Sequence, residues 1–209
     1  MSAAEARERP PGELGARRST VTRMLAWVSL EALRLEAARV MLGERSMRAS
    51  GSVVDAPHDG VEAYSASYAL ATDETGVVHR LTVRTVRAQG EQHVTLTRSE
   101  EGIWLVDHGT GAVRTNFDGA LDVDLAFSPL FNALPVRRLG LHRAAAEHSL
   151  PMVFVALPGL EVRLVRQTYR TVGVGDPAVV RCSGDSLEVE LTVDADGLVL
   201  EYPGLAKRA

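Results

Sequence analysis

The chain has 209 residues, 45% of them hydrophobic and 24% charged, which excludes disorder along its whole length and suits one large domain. With 23 Lys and Arg against 27 Asp and Glu the net charge is −4, so the overall positive field that draws proteins to nucleic acid or to anionic membranes is missing. Cys182 is the one cysteine; it rules out an internal disulfide and predicts a reduced, cytoplasmic setting, in which a half-buried core thiol is the expected role.

Residues 1–20 hold one sizeable apolar residue, Leu14, among prolines, glycines and mixed charges. They read as a disordered tail before a single domain over 21–209. No apolar run follows the arginines, so they do not read as a signal peptide. The stretch 24–42 is apolar, but Glu31, Arg34, Glu36 and Arg39 interrupt it too often for a membrane span. Its Ala, Leu, Glu and Arg content favours helix. Its alternation of Leu33, Leu35 and Ala37 with Arg34, Glu36 and Ala38 favours strands, the reading adopted here.

From Val61 onward the strand period is steady. Tyr64, Ala66, Tyr68 and Leu70 share one face, as do His79, Leu81, Val83 and Thr85, then Val94 and Leu96. Leu121, Val123 and Leu125 alternate with Asp122 and Asp124. The run from Met152 to Leu157 is apolar throughout, the pattern of a strand covered on both faces or lining an apolar cavity. Ser128 and Pro129 open a short helical turn that Pro135 is expected to stop. Leu187, Val189, Leu191 and Val193 form a further strand face, and Asp194-Ala195-Asp196-Gly197 reads as a hairpin turn. Ten or more short strands with close turns, and no recurrent long helix, predict an all-β fold: a meandering antiparallel sheet.

Chemistry concentrates in 118–139. On a strand, Asp122 and Asp124 point to the same face about 6.5–7 Å apart, and Arg137 and Arg138 follow a dozen residues later. Carboxylates facing a guanidinium can hold a polar head group, or can form a structural ion-pair network; both readings stay open. A carboxylate pair also admits glycoside hydrolysis in principle. Asp122, Asp124 and Asn132 are hard oxygen donors, yet their spacing matches no known cation loop. Six scattered histidines form no H-x-x-x-H pair, and no nucleophile elbow, Walker loop or dinucleotide motif occurs. No metal or cofactor is expected.

Asp118-Gly119 through Asp122-Val123-Asp124-Leu125, then Ser128-Pro129, Asn132 and Leu134-Pro135-Val136-Arg137-Arg138-Leu139, resembles the signature of the Putative glycolipid-binding family, long catalogued as a bacterial domain of unknown function. Gln167-Thr168-Tyr169 resembles its Gln-x-Tyr and Gly102-Ile103-Trp104 its Gly-x-Trp. The ending from Asp194 to Leu205 resembles its ending, and Trp27, Glu31 and Gly51 fall where its first strands carry Trp, Glu and Gly. The likeness spans about residues 24–208. The chain departs from it at Ala120, where the family has Cys, at Ser128, Leu130 and Phe131, where it has Thr, Phe and Thr, and at Val77 or Val78, where it has Trp.

The resemblance implies a strongly bent antiparallel sheet, an open half-barrel whose concave face holds an apolar cavity. It implies a small amphiphile, a glycolipid or fatty-acyl compound, as the partner. On that reading Asp122, Asp124, Asn132 and Arg138 orient the polar head, with one of Arg137 and Arg138 facing the cavity. Gln167 joins them, and Tyr169 and Tyr202 stand at the rim. The competing expectation is a glycolipid hydrolase using Asp122 or Asp124 as acid or base.

Overall fold

The structure is a computed structural model that describes residues 20–29, 31–58, 60–184 and 187–209; of the expected tail, all but Thr20 lies outside these residues. Among the described residues fifteen strands form one sheet. They are β1 (Val21–Ser29), β2 (Arg34–Leu42), β3 (Met47–Asp55), β4 (Tyr64–Thr72), β5 (Val78–Arg87), β6 (Gly90–Arg98), β7 (Trp104–Asp107) and β8 (Ala112–Thr115). Then come β9 (Asp122–Leu125), β10 (Glu147–Val155), β11 (Val162–Gly173), β12 (Ala178–Gly184), β13 (Leu187–Val193), β14 (Val199–Tyr202) and β15 (Ala206–Arg208). The spatial order is β8-β7-β6-β5-β4-β3-β2-β1-β15-β14-β13-β12-β11-β10-β9. The sheet is open and bent, as expected.

The disputed stretch 24–42 is two strands. Nine-residue ladders join β1 to β2 and β2 to β3, and β2 alternates strictly between buried and less buried positions. Pairing on both flanks outweighs the helical propensity of its Ala, Leu and Glu. Among the described residues every ladder is antiparallel but one: β9 runs parallel to β10, with Val123 opposite Val153. The long return of chain from β9 to β10 makes that orientation possible.

The sheet's two ends are successive in sequence, and the linker between them folds back onto the sheet. The Val78 amide donates to the Leu121 carbonyl at 2.9 Å, and the Trp104 indole donates to the Ala120 carbonyl at 3.0 Å. The Leu121–Leu125 face therefore enters the main core. Val123, Leu125, Leu130, Phe131 and Leu134 pack there with Trp27, Tyr68, Leu81, Val83, Leu96 and Trp104. Phe131 meets Tyr68 edge to face at 5.2 Å between centroids, a favoured aromatic geometry.

A 3-10 turn at Pro129–Asn132 leads into α1 (Ala133–Leu139), the one α-helix among the described residues. Pro135 does not stop it. This proline lies in the first turn of α1, where its missing amide would have had no partner. The helix ends instead at Gly140, left-handed at φ 68°. No helix among the described residues is long and apolar enough to cross a membrane.

Candidate functional site

Strand β9 is buried on both faces, and its aspartate face is divided along its length. Asp122 lies at the lower end, opposite Met152, and α1 covers it. The Arg138 guanidinium donates through Nε at 3.1 Å and through Nη2 at 2.5 Å. The Asp122 side chain is buried and the Arg138 side chain is 11% exposed. Burial lifts the Asp122 pKa from its ordinary value, against the pull of Arg138.

Asp124, one pleat higher, meets no cation among the described residues. It sits half-buried in the wall of a cavity of about 430 Å³. The cavity opens where α1 stops covering the sheet. Its sides are the chain from Asp124 to Ser128, the upper parts of β10 and β11, Gly184, and the β14–β15 turn from Tyr202 to Leu205. Alternation on β11 turns Arg163, Val165, Gln167 and Tyr169 to one face. The column descends from a cation through an apolar wall to an amide and a phenol. Arg163 stacks over the Phe154 ring at 4.6 Å, a cation–π contact.

The floor is a chain of hydrogen bonds. Gln167 Nε2 donates to Asp124 Oδ2 at 2.8 Å. That fixes the amide so that Gln167 Oε1 faces the Tyr169 hydroxyl, 3.0 Å away. Asn132 Oδ1 lies 2.9 Å from the same hydroxyl. The phenol has one proton for these two acceptors. Tyr169 is fully buried, and burial raises its pKa well above the ordinary value, so it stays a donor. Loss of water at the cavity floor pushes Asp124 up to about 6, opposed by the Gln167 bond.

The expected site residues thus separate into groups. Asp124, Asn132, Gln167 and Tyr202 line the cavity. Tyr169 lies beneath its floor rather than at its rim. Asp122 and Arg138 are paired with each other under α1. Arg137 turns away and donates to the carbonyls of Gly43, at 2.9 Å, and Asp196. It borders a second depression of about 290 Å³ beside Glu44 and Arg143. Cys182 is buried, and burial pushes its thiol up to about 12, so it has no thiolate to react.

Other residues at the site escaped sequence reasoning. Arg163, Val165 and Arg166 line the cavity, and only the alternation of β11 could have marked the first two; Phe154, also in the lining, belongs to the apolar run Met152–Leu157. Glu31 is exposed in the β1–β2 turn; the buried glutamate of the first strands is Glu36. Its Oε1 accepts from the hydroxyls of Tyr68, at 2.5 Å, and Ser128, at 2.6 Å. Burial raises Glu36 to about 7. Gly51 makes room for the Tyr68 ring, since a Cβ there would stand 2.4 Å from its hydroxyl oxygen. Ser128 therefore faces Glu36 while bordering the cavity. No group of three or more His, Cys, Asp or Glu among the described residues is placed to hold a metal.

This is an all-β protein built on one open sheet, with a single cavity wall that carries both charge and apolar surface. The model of the family described as Putative glycolipid-binding matches residues 24–208, and the chain belongs to that family. It is similar to the crystal structure of a DUF1089 family protein from Pseudomonas aeruginosa, at 25% identity and a TM-score of 0.66, over 97% of this chain and 100% of the other. No curated protein matches the chain.

Proposed function

We propose that the protein binds an amphiphile, a glycolipid or a related acyl compound, in the cavity between upper β9, β11 and the β14–β15 turn, and performs no chemistry on it. The observation that carries this reading is the pairing of surfaces in one cavity. Phe154, Val165 and Leu205 supply an apolar wall, while Asp124, Asn132 and Gln167 supply a hydrogen-bonding floor. Its volume falls within the range of small-molecule sites. Burial of an alkyl chain at roughly 25 cal/mol per Å² would supply most of the affinity. The floor would select hydroxyls, because Asp124 and Gln167 leave lone pairs and protons that a sugar can satisfy.

The family's description supports the ligand class. The hydrolase reading loses support, because most glycoside hydrolases use a pair of carboxyl groups flanking the scissile bond. Asp122 is held by Arg138, which leaves Asp124 alone among the described carboxylates lining the cavity. Asp122 and Arg138 act in this reading as the brace that holds α1 against β9, and Arg137 ties α1 to the β2–β3 and β13–β14 turns.

Native mass spectrometry of the purified protein, followed by organic extraction, tests the proposal. The expected result is a noncovalent adduct that yields an unmodified amphiphile and that Val165→Trp abolishes. An adduct that survives Val165→Trp, or a wild-type protein that takes up no added octyl glucoside, would contradict it.

A further inference from the structure

We propose that the amphiphile held in this cavity is polar at both ends: hydroxyls seat it on the Asp124–Gln167 floor, and its acyl chain ends outward in a carboxylate that meets the Arg163 guanidinium at the cavity mouth. The inference rests on the amphiphile-binding reading and names the ligand class for the same cavity.

The polar groups of the cavity stand at its two ends, and β11 sets their spacing. Arg163 and Gln167 share a face of that strand four residues apart, about 13 Å at the strand rise. Val165 lies between them, and Phe154 and Leu205 widen the apolar middle. A simple amphiphile has one polar end. With that end on the floor, a plain tail long enough to reach the mouth would take water from Arg163 and return no hydrogen bond. A chain that ends in a carboxylate gives charge-assisted hydrogen bonds there instead, and the planar guanidinium fork matches a carboxylate in shape.

Arg163 is free to take such a partner, because the acids around it are engaged elsewhere. Its side chain is exposed at the mouth and held over the Phe154 ring at 4.6 Å. A guanidinium stacked on a ring keeps its N–H donors at its edges, and no described residue accepts from them or pairs with the charge. Asp124, the one carboxylate among the described lining residues, lies at the opposite end and accepts from Gln167 at 2.8 Å. Asp118 pairs with Arg166, the other lining cation, at 3.3 Å. Asp55 pairs with Arg34 at 2.8 Å, and Glu201 stands 3.7 Å from the Lys207 ammonium. Glu161, two residues before Arg163, folds back over its own turn, where its Oε1 would stand 2.5 Å from a Cβ on Gly159. The mouth thus keeps one cation for which the described residues supply no counter-charge.

Calorimetric titration with ω-hydroxydecanoate, with the neutral decanediol bearing a hydroxyl at each end, and with decanoate tests this, all below their micelle concentrations. Wild-type protein should bind ω-hydroxydecanoate about fivefold more tightly than the diol, the upper value of an ion pair near solvent. It should also bind it about fivefold more tightly than decanoate, which lacks the hydroxyl for the floor. Arg163→Gln should bring the affinities for ω-hydroxydecanoate and the diol level, and Arg163→Glu should reverse their order; binding of the diol shows that each variant keeps its cavity. Equal affinities for the two in wild type, a preference that survives Arg163→Gln, or decanoate that binds as well as ω-hydroxydecanoate would overturn the proposal. Octyl glucoside binding that Val165→Trp abolishes, with no preference for the anion, would overturn it alone. Failure of all four probes to bind would overturn the cavity reading with it.

Discussion

The lower and upper halves of β9 present the same side chain to opposite fates. Asp122 and Asp124 share a face of one strand, two residues apart. The lower carboxylate is covered by α1 and clasped by Arg138. The upper one lies beyond the helix, bonded to a neutral amide in a cavity wall. Burial alone does not assign a role; what stands opposite the buried group does. A guanidinium across from a carboxylate makes a brace, while an amide across from it leaves capacity for a guest.

The sharpest way to break this contrast is to remove the brace. Arg138→Met leaves Asp122 buried without its partner, which should cost about 3–5 kcal/mol, read as a fall in the urea midpoint. A variant as stable as wild type would show that the pair holds nothing together. Octyl glucoside affinity, measured where the variant is still folded, should stay near the wild-type value.

A third buried carboxyl sharpens the comparison through pH. Glu36 has hydroxyl donors but no cation among the described residues, and its pKa stands at about 7 against an ordinary 4.5. A raised folded pKa means that the folded state holds the proton more tightly. Its contribution is fully present below pH 4.5 and is lost as pH rises through 7. The loss is about 3 kcal/mol in total, at 1.36 kcal/mol per unit. Glu36→Gln keeps an acceptor for Tyr68 and Ser128 but cannot ionise. Between pH 5 and pH 8 it should lose less stability than wild type in thermal melts, and parallel curves for the two proteins would refute the assignment.

The upper carboxylate should matter to a ligand and little to the fold. Asp124→Asn should weaken octyl glucoside binding about tenfold, the value of a hydrogen bond to a charged group, with a change in stability below about 1 kcal/mol. The smallest effect belongs to the apolar tip of the β1–β2 turn. Leu33→Ser should leave the urea midpoint within about 0.5 kcal/mol of wild type, as exposed substitutions do, and a larger loss would show that the tip is packed.

Much of this architecture was legible in the sequence. The period-two runs located the strands, and Tyr64, Ala66, Tyr68 and Leu70 are buried as a set. The resemblance to the family's Gln-x-Tyr marked Gln167 and Tyr169, and the Tyr169 hydroxyl donates to the Gln167 amide oxygen. In the continuous apolar run, Met152, Val153 and Val155 are buried and Phe154 lines the cavity. Less legible was whatever depends on where α1 ends. Nothing local distinguishes Asp122 from Asp124, because the helix that separates them returns from residues 133–139. Adjacent arginines hid a similar division: Arg138 reaches β9 and Arg137 reaches backbone carbonyls in two distant turns. Pro135 misled because a proline that breaks a helix interior suits its first turn. The parallel β9–β10 pair and the contribution of Arg163 both needed the full sheet order.

Cocrystallisation with octyl glucoside tests the central claim most directly. The account predicts the sugar on Asp124 and Gln167 and the alkyl chain along Phe154 and Leu205. A guest seated in the depression beside Arg137 instead, or a cavity that stays empty at saturating ligand, would contradict it.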